Sequence, residues 1–174
     1  QNKIKTYGHS IECRLYAEDP SQNFLPSPGK ITKLKFPKIP NGIRLDWGYD
    51  ERDEVSFYYD PMIGKIISHD LIRDDAISKL IKFLEGTQIE GIKTNIPFLI
   101  CLLKDKNFTE GKHNTKYIEN NLNTLISKIS FKNGFTKNID LDSKRIKIVE
   151  TDKLKVGHGR SQSDRGGIKV VYFD

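Results

Sequence analysis

The sequence predicts an α+β domain, an antiparallel, meander-like or barrel-like sheet packed with about three helices and followed by a basic C-terminal extension. Three observations predict it. Residues 10–18 alternate apolar and polar with a period of two. Short runs rich in β-branched and aromatic residues follow, separated by Gly, Pro, Asn and Asp. At Asp70 the apolar period changes from that of a strand to that of a helix.

In SIECRLYAE, Ile11, Cys13, Leu15 and Ala17 face one way and Glu12, Arg14, Tyr16 and Glu18 the other. This is the pattern of a strand with one buried and one polar face. DPSQNFLPSPGK follows, an irregular loop on account of its prolines, Asn23 and Gly29, with Phe24 and Leu25 expected to pin it to the core. Strands are expected over Lys30–Phe36, Gly42–Trp47, Glu54–Tyr59 and Met62–Ser68. The breaks PKIPNG, GYDERD and DP are short, so neighbours are expected to pair antiparallel.

From Asp70, the expected N-cap, Ile72, Ala76, Ile77, Leu80, Ile81 and Leu84 form one helical stripe that stops at Gly86. A short strand is expected at Gln88–Ile92. TNIPFLICLLKD opens with a Thr/Asn cap and sets Pro97 in the first turn, where a missing N–H costs little. Its run Phe98–Leu103 is apolar on nearly all sides, so this helix should be buried. A third helix is expected near Thr115–Ile129, with Tyr117, Ile118, Leu122, Leu125 and Ile129 inward. After Ser130, RIKIVE and GIKVVYF are strand-like. The polar, glycine-rich VGHGRSQSDRGG between them lacks the spacing of a phosphate loop.

At 174 residues, 36% of them hydrophobic, the chain is long enough to bury a core as one domain with an appendage. It holds no apolar run of membrane-spanning length. Its start has no signal or transit pattern and no initiator Met, so a piece of a longer chain is expected. Cys13 and Cys101 form no disulfide framework or zinc spacing and read as reduced core thiols, suited to the cytoplasm or an organelle matrix. The net charge of +6 is uneven: residues 1–119 hold 18 Lys and Arg against 17 Asp and Glu, and residues 120–174 hold 11 against 6.

Two clusters carry candidate chemistry. On the polar face of the first strand, Glu12 and Glu18 are expected to flank Arg14, holding its guanidinium where it can donate to a developing oxyanion. From alternation alone a surface ion pair of little energetic weight explains the pattern better. In YYDPMIGK, Asp60 stands at a strand end, as a turn former or as a partner for a neighbouring strand. The four histidines are isolated and receive no role.

GHSIECRLYAEDPSQNFLPSPGKI, GIRLD, YYDPMIGKII, RDDAISKL and IEGIKTNIPFL occur in this order. Together they resemble the C-terminal domain of biotin carboxylase, over residues 7–119. That component carboxylates biotin in acetyl-CoA, propionyl-CoA, methylcrotonyl-CoA and pyruvate carboxylases. The resemblance implies a domain at 1–119, with 120–174 as helix end, linker and strand-like extension. It implies ATP, magnesium and bicarbonate as reactants, carboxyphosphate as the activated form, and biotin carried on a partner protein or domain.

By resemblance, Arg14 is the catalytic arginine that steadies negative charge on the ureido oxygen of biotin. Asp60, Glu12 and Glu18 become its orienting neighbours, and Arg44 a dimer-interface residue. Asn41 stands where the bacterial enzyme of this family has an aromatic residue, a departure at that contact. The family's ATP-grasp signatures have no counterpart here, so ATP and magnesium are expected on an upstream part, and no turnover is expected of this piece alone. Further implied partners are a biotin carboxyl carrier protein or domain, a carboxyltransferase component and a second copy in a homodimer, in the cytoplasm or mitochondrial matrix. The rival reading is a non-catalytic assembly module whose basic residues 120–174 dock an acidic partner or nucleic acid. That tail has few aromatics and matches no nucleic-acid-binding motif.

Overall fold

The alternation at the start of the chain becomes β1 (His9–Tyr16), in a computed structural model that describes residues 5–129. Eight further strands follow: β2 (Glu18–Asp19), β3 (Leu25–Pro26), β4 (Gly29–Lys30), β5 (Lys33–Lys35), β6 (Ile43–Trp47), β7 (Glu54–Val55), β8 (Met62–Asp70) and β9 (Gln88–Glu90). The helices are α1 (Arg73–Gly86), α2 (Ile96–Leu103), α3 (Lys106–Thr109) and α4 (Tyr117–Ser127). The expected strands at RIKIVE and GIKVVYF, the polar loop between them and the rest of the basic extension lie outside the described residues.

The architecture is mixed α/β with antiparallel sheets, but the pairing order corrects the expected meander. The long strand β8 is the centre of a three-stranded sheet, antiparallel to β1 on one side and to β6 on the other. The remaining strands form separate two-stranded ladders, β2–β3, β4–β7 and β5–β9, and among the described residues these do not join into a barrel. The physical reason is the proline-rich loop after β1. It carries the chain away from β1, whose inner edge is left for β8.

Ladder register explains the two faces of the sheet. Ile11, Cys13 and Leu15 stand in rows with Ser68, Ile66 and Gly64 of β8 and with Ile43, Leu45 and Trp47 of β6. This face packs under α1, which buries Ala76, Ile77, Leu80, Phe83 and Leu84. Ser68, fully buried, donates its hydroxyl to the Ala76 carbonyl at 2.9 Å. A second cluster joins Phe98 of α2 to Leu125 of α4 and to Ile129 just past its end. Phe24 meets Phe98 edge-on at 4.9 Å, pinning its loop as expected, whereas Leu25 is exposed.

Several local expectations change. KITKLKF splits into β4 and β5, and EVSFYY keeps only Glu54–Val55 as strand, leaving Phe57, Tyr58 and Tyr59 exposed. Asp70 ends β8 instead of capping α1. It pairs with Lys79 at 2.6 Å, while Ile72 occupies the cap position without a side-chain bond. Phe83 is in the core where Ile72 was expected. A four-residue helix, α3, appears where none was expected, started by Asp105 accepting from the Asn107 amide at 2.9 Å. At Gly91, φ is +96° and a side chain would collide with the Lys30 carbonyl, so only glycine lets the chain pass from β9 toward α2.

Candidate functional site

The outer face of the three-stranded sheet carries the charges. One row runs Arg14–Lys65–Asp46 across β1, β8 and β6, and the next runs Glu12–Ile67–Arg44. The Arg14 Nε donates to Glu12 Oε1 at 3.1 Å, joining two residues that alternation places on the same side. The arginine side chain stays 59% exposed and that of the glutamate 40%. An ion pair this open contributes little to stability, so its effect is on direction: it limits where the guanidinium points. That bond to Glu12 raises the Arg14 pKa further, for a group already charged at any working pH.

Glu18 and Asp60 lie together but not on Arg14. β1 ends at Tyr16, and the Ala17 amide donates to the Pro61 carbonyl at 2.8 Å, drawing the Asp60–Pro61 turn against the start of β2. Burial first, and the nearby Asp60 charge second, push the Glu18 carboxyl above its ordinary value. Asp60 Oδ1 accepts from the Met62 amide at 2.9 Å, closing its own turn. Among the described residues, no hydrogen bond or ion pair joins Arg14 to Glu18 or to Asp60. Arg44, on the outer strand β6, donates to Asp46 at 3.1 Å and is exposed.

Two residues that sequence reasoning left without a part in the site stand beside Arg14. Lys65 is its direct cross-strand neighbour, half-buried on the central strand, and makes no ion pair among the described residues. Lys65 is the one charged residue in the run MIGKIIS, and that is the signal that singles it out. Asn95, read as a helix cap, instead reaches β1, and its amide bonds to the backbone of Arg14 and Tyr16. No local signal separates these two uses of an asparagine before a helix. A cleft of about 290 Å3 opens beside the strand, lined by Arg14, Glu18, Asn95 and the apolar Phe98, Leu102 and Phe108. On the inner face Cys13 is buried, and its thiol is pushed up to about 12, out of range of nucleophilic chemistry at neutral pH.

Among the described residues, no group of three or more His, Cys, Asp or Glu side chains is placed to hold a metal ion. No described helix is long and apolar enough to cross a membrane.

Comparison with known proteins gives a consistent set of relatives. A family model described as biotin carboxylase C-terminal domain matches residues 12–120. Biotin carboxylase 1 of Bacillus subtilis is 42% identical over 119 residues, 68% of this chain and 26% of that protein. The alpha subunit of mitochondrial methylcrotonoyl-CoA carboxylase from Dictyostelium discoideum is 33% identical over 170 residues, 98% of this chain and 24% of that protein. In structure, the chain is similar to the biotin carboxylase domain of Hydrogenobacter thermophilus 2-oxoglutarate carboxylase, solved as a dimer with MgADP, ADP and bicarbonate. The TM-score is 0.68 at 38% identity, covering 72% of this chain and 27% of that one. The chain thus spans about a quarter of the length of each of these two curated relatives.

Proposed function

This chain belongs to the biotin carboxylase C-terminal domain family, and we propose that within a biotin carboxylase it supplies one wall of the site where protein-bound biotin is carboxylated by bicarbonate at the expense of ATP. The observation that carries the reading is Arg14: a permanent cation, aimed by Glu12 at 3.1 Å yet left open toward solvent on the sheet's outer face. Biotin, when bound, supplies the urea nitrogen that takes the carboxyl group. Arg14 donates to the urea oxygen, whose negative charge grows as that nitrogen loses its proton. A donor already charged and already oriented stabilises this developing charge more than it stabilises the ground state. Glu12 restricts the guanidinium's rotamers without neutralising its outward N–H groups.

Glu18 and Asp60 act on the turn that borders this face rather than by direct contact with Arg14, and Arg44 is set on an outer strand suited to contact with a second copy. ATP and magnesium are held by a part of the enzyme other than this domain. The 170-residue likeness to an acyl-CoA carboxylase alpha subunit supports such a subunit as the parent, with a biotin carrier and a carboxyltransferase as partners, in cytoplasm or mitochondrial matrix. The reading as a non-catalytic assembly module finds no support in these relatives.

The test is Arg14→Ala in the complete carboxylase subunit. Removing one such donor costs about 3–4 kcal/mol of barrier, so carboxybiotin formation is expected to fall roughly 10²–10³-fold. Bicarbonate-dependent ATP cleavage should persist. Carboxybiotin formed per ATP at the parent level would overturn the role given to Arg14.

A further inference from the structure

We propose that Asn95 is a positioning residue for Arg14, fixing the stretch of β1 from which the guanidinium projects. The proposal rests on the role of Arg14 in biotin carboxylation. Asn95 stands immediately before α2, where an asparagine ordinarily turns its side chain back to the helix's own first amides. It makes no such bond. Its Oδ1 accepts from the Tyr16 amide at 3.0 Å, its Nδ2 donates to the Arg14 carbonyl at 3.1 Å, and its backbone amide donates to the Tyr16 carbonyl at 3.2 Å.

In a strand, the carbonyl of residue 14 and the amide of residue 16 point to the same edge. The opposite edge of β1 is taken by β8. Asn95 therefore serves the free edge as a one-residue substitute for a neighbouring strand. The orientation of the amide is determined by its partners, because a flipped amide would set donor against donor at Tyr16. Asparagine fits where its analogues fail: aspartate has no donor for the Arg14 carbonyl, and leucine has neither group.

The position in β1 matters. The ladder with β8 is regular from His9↔Asp70 to Leu15↔Gly64, and then Tyr16 pairs with Met62, so one residue of β8 is skipped. Such a bulge locally interrupts the ladder and re-aims side chains. Asn95 grips β1 across this interruption, where β8 alone leaves the backbone least constrained. Only 6% exposed, it has little access to water that could replace its bonds. The same residue directly precedes α2, whose Phe98 packs in the second cluster, so the aim of Arg14 is tied to the seating of that helix.

The experiment compares Asn95→Asp, Asn95→Ala, Arg14→Ala and the Asn95→Ala/Arg14→Ala double variant in the complete carboxylase subunit. The readout is carboxybiotin formed per ATP cleaved at saturating substrates. This ratio is independent of the folded fraction, so a merely structural role does not move it. Asn95→Asp, which keeps the acceptor for Tyr16 and stays informative if Asn95→Ala fails to fold, is expected to lower the ratio about tenfold, the rate equivalent of one lost positioning hydrogen bond. Asn95→Ala should lower it at least as far, and should add nothing in the Arg14→Ala background. An unchanged ratio in the Asn95 variants, with coupling lost in Arg14→Ala, overturns the proposal alone. An equal fall with and without Arg14 also overturns it, because Asn95 would then act by another route. Unchanged coupling in Arg14→Ala overturns the underlying reading and the proposal with it.

Discussion

At the scale of single residues, Arg14 and Glu12 show what period two can and cannot reveal. Side chains two apart on a continuous strand share a face, and the predicted pair forms. The same rule extended to Glu18 does not bring it to Arg14, because β1 stops at Tyr16 and a new ladder starts at Glu18. Asn95, some 80 positions away, is invisible to any local pattern. Glu18 instead carries a measurable electrostatic signature. Burial and then Asp60 raise its pKa in the folded state, so its ionised form opposes folding at neutral pH. That opposition fades as pH falls through the raised folded value and is absent below the unfolded value of about 4.3. Glu18→Gln is therefore expected to raise the chemical-denaturation midpoint at pH 7 and to leave it unchanged near pH 3.5. Asp19, Asp70 and Asp105, whose lowered values have the opposite sign, lose stability in acid equally in both proteins, so the comparison isolates Glu18. The same increment at both pH values would remove the burial argument.

At the scale of elements, legibility followed length and continuity. β1 and α1 bury one face along most of their length and were readable from their apolar period, and β8 was readable as an apolar run between breaks. The two-residue strands were not, because a ladder that short is decided by which backbone edge lies opposite and not by side-chain alternation. Glu54–Tyr59 is the clear case: its aromatics supplied the propensity of a strand but stay in solvent. The pairing of β8 with β1 across the intervening loops was likewise outside local pattern. One of its rows, Leu15–Gly64–Trp47, is tightly filled. A Cβ at Gly64 would overlap the Trp47 ring, which is held edge-on by Phe36 at a centroid distance of 4.8 Å. Gly64→Ala is expected to destabilise the domain by about 1–3 kcal/mol, the usual cost of forcing a methyl into a filled site. The loss should shrink in a Trp47→Leu background, since the two residues share one space. Urea unfolding of the four proteins measures this, and an undiminished loss in that background would mean the clash is not with the indole.

For the whole molecule, the question is where the physical unit ends. The family match runs to residue 120, close to the end of the resemblance over residues 7–119, yet hydrophobic packing continues past it. α4 carries Leu125, 1% exposed, and the chain beyond it returns Ile129 to the same cluster against Phe98. Tyr117 anchors the start of that helix by donating to Asp105 at 2.6 Å and accepting from Asn107 at 3.1 Å, but these bonds cannot hold a helix whose buried face has been removed. A chain ending at Glu119 loses both buried residues and uncovers Phe98, one turn from Asn95. Burying a Leu or Ile contributes about 1.5–3 kcal/mol, so the pair accounts for about 3–6 kcal/mol, an upper figure because the unfolded chain already hides some of this surface. Against a total of about 5–15 kcal/mol for an ordinary domain, such a loss leaves a marginal fold. Residues 1–130 are therefore expected to unfold at a distinctly higher urea concentration than residues 1–119. The shorter chain should also bind a hydrophobic dye at its uncovered α2. Coincident unfolding midpoints would mean that α4 is an appendage, and that the seating of α2, and through Asn95 the aim of Arg14, does not depend on it.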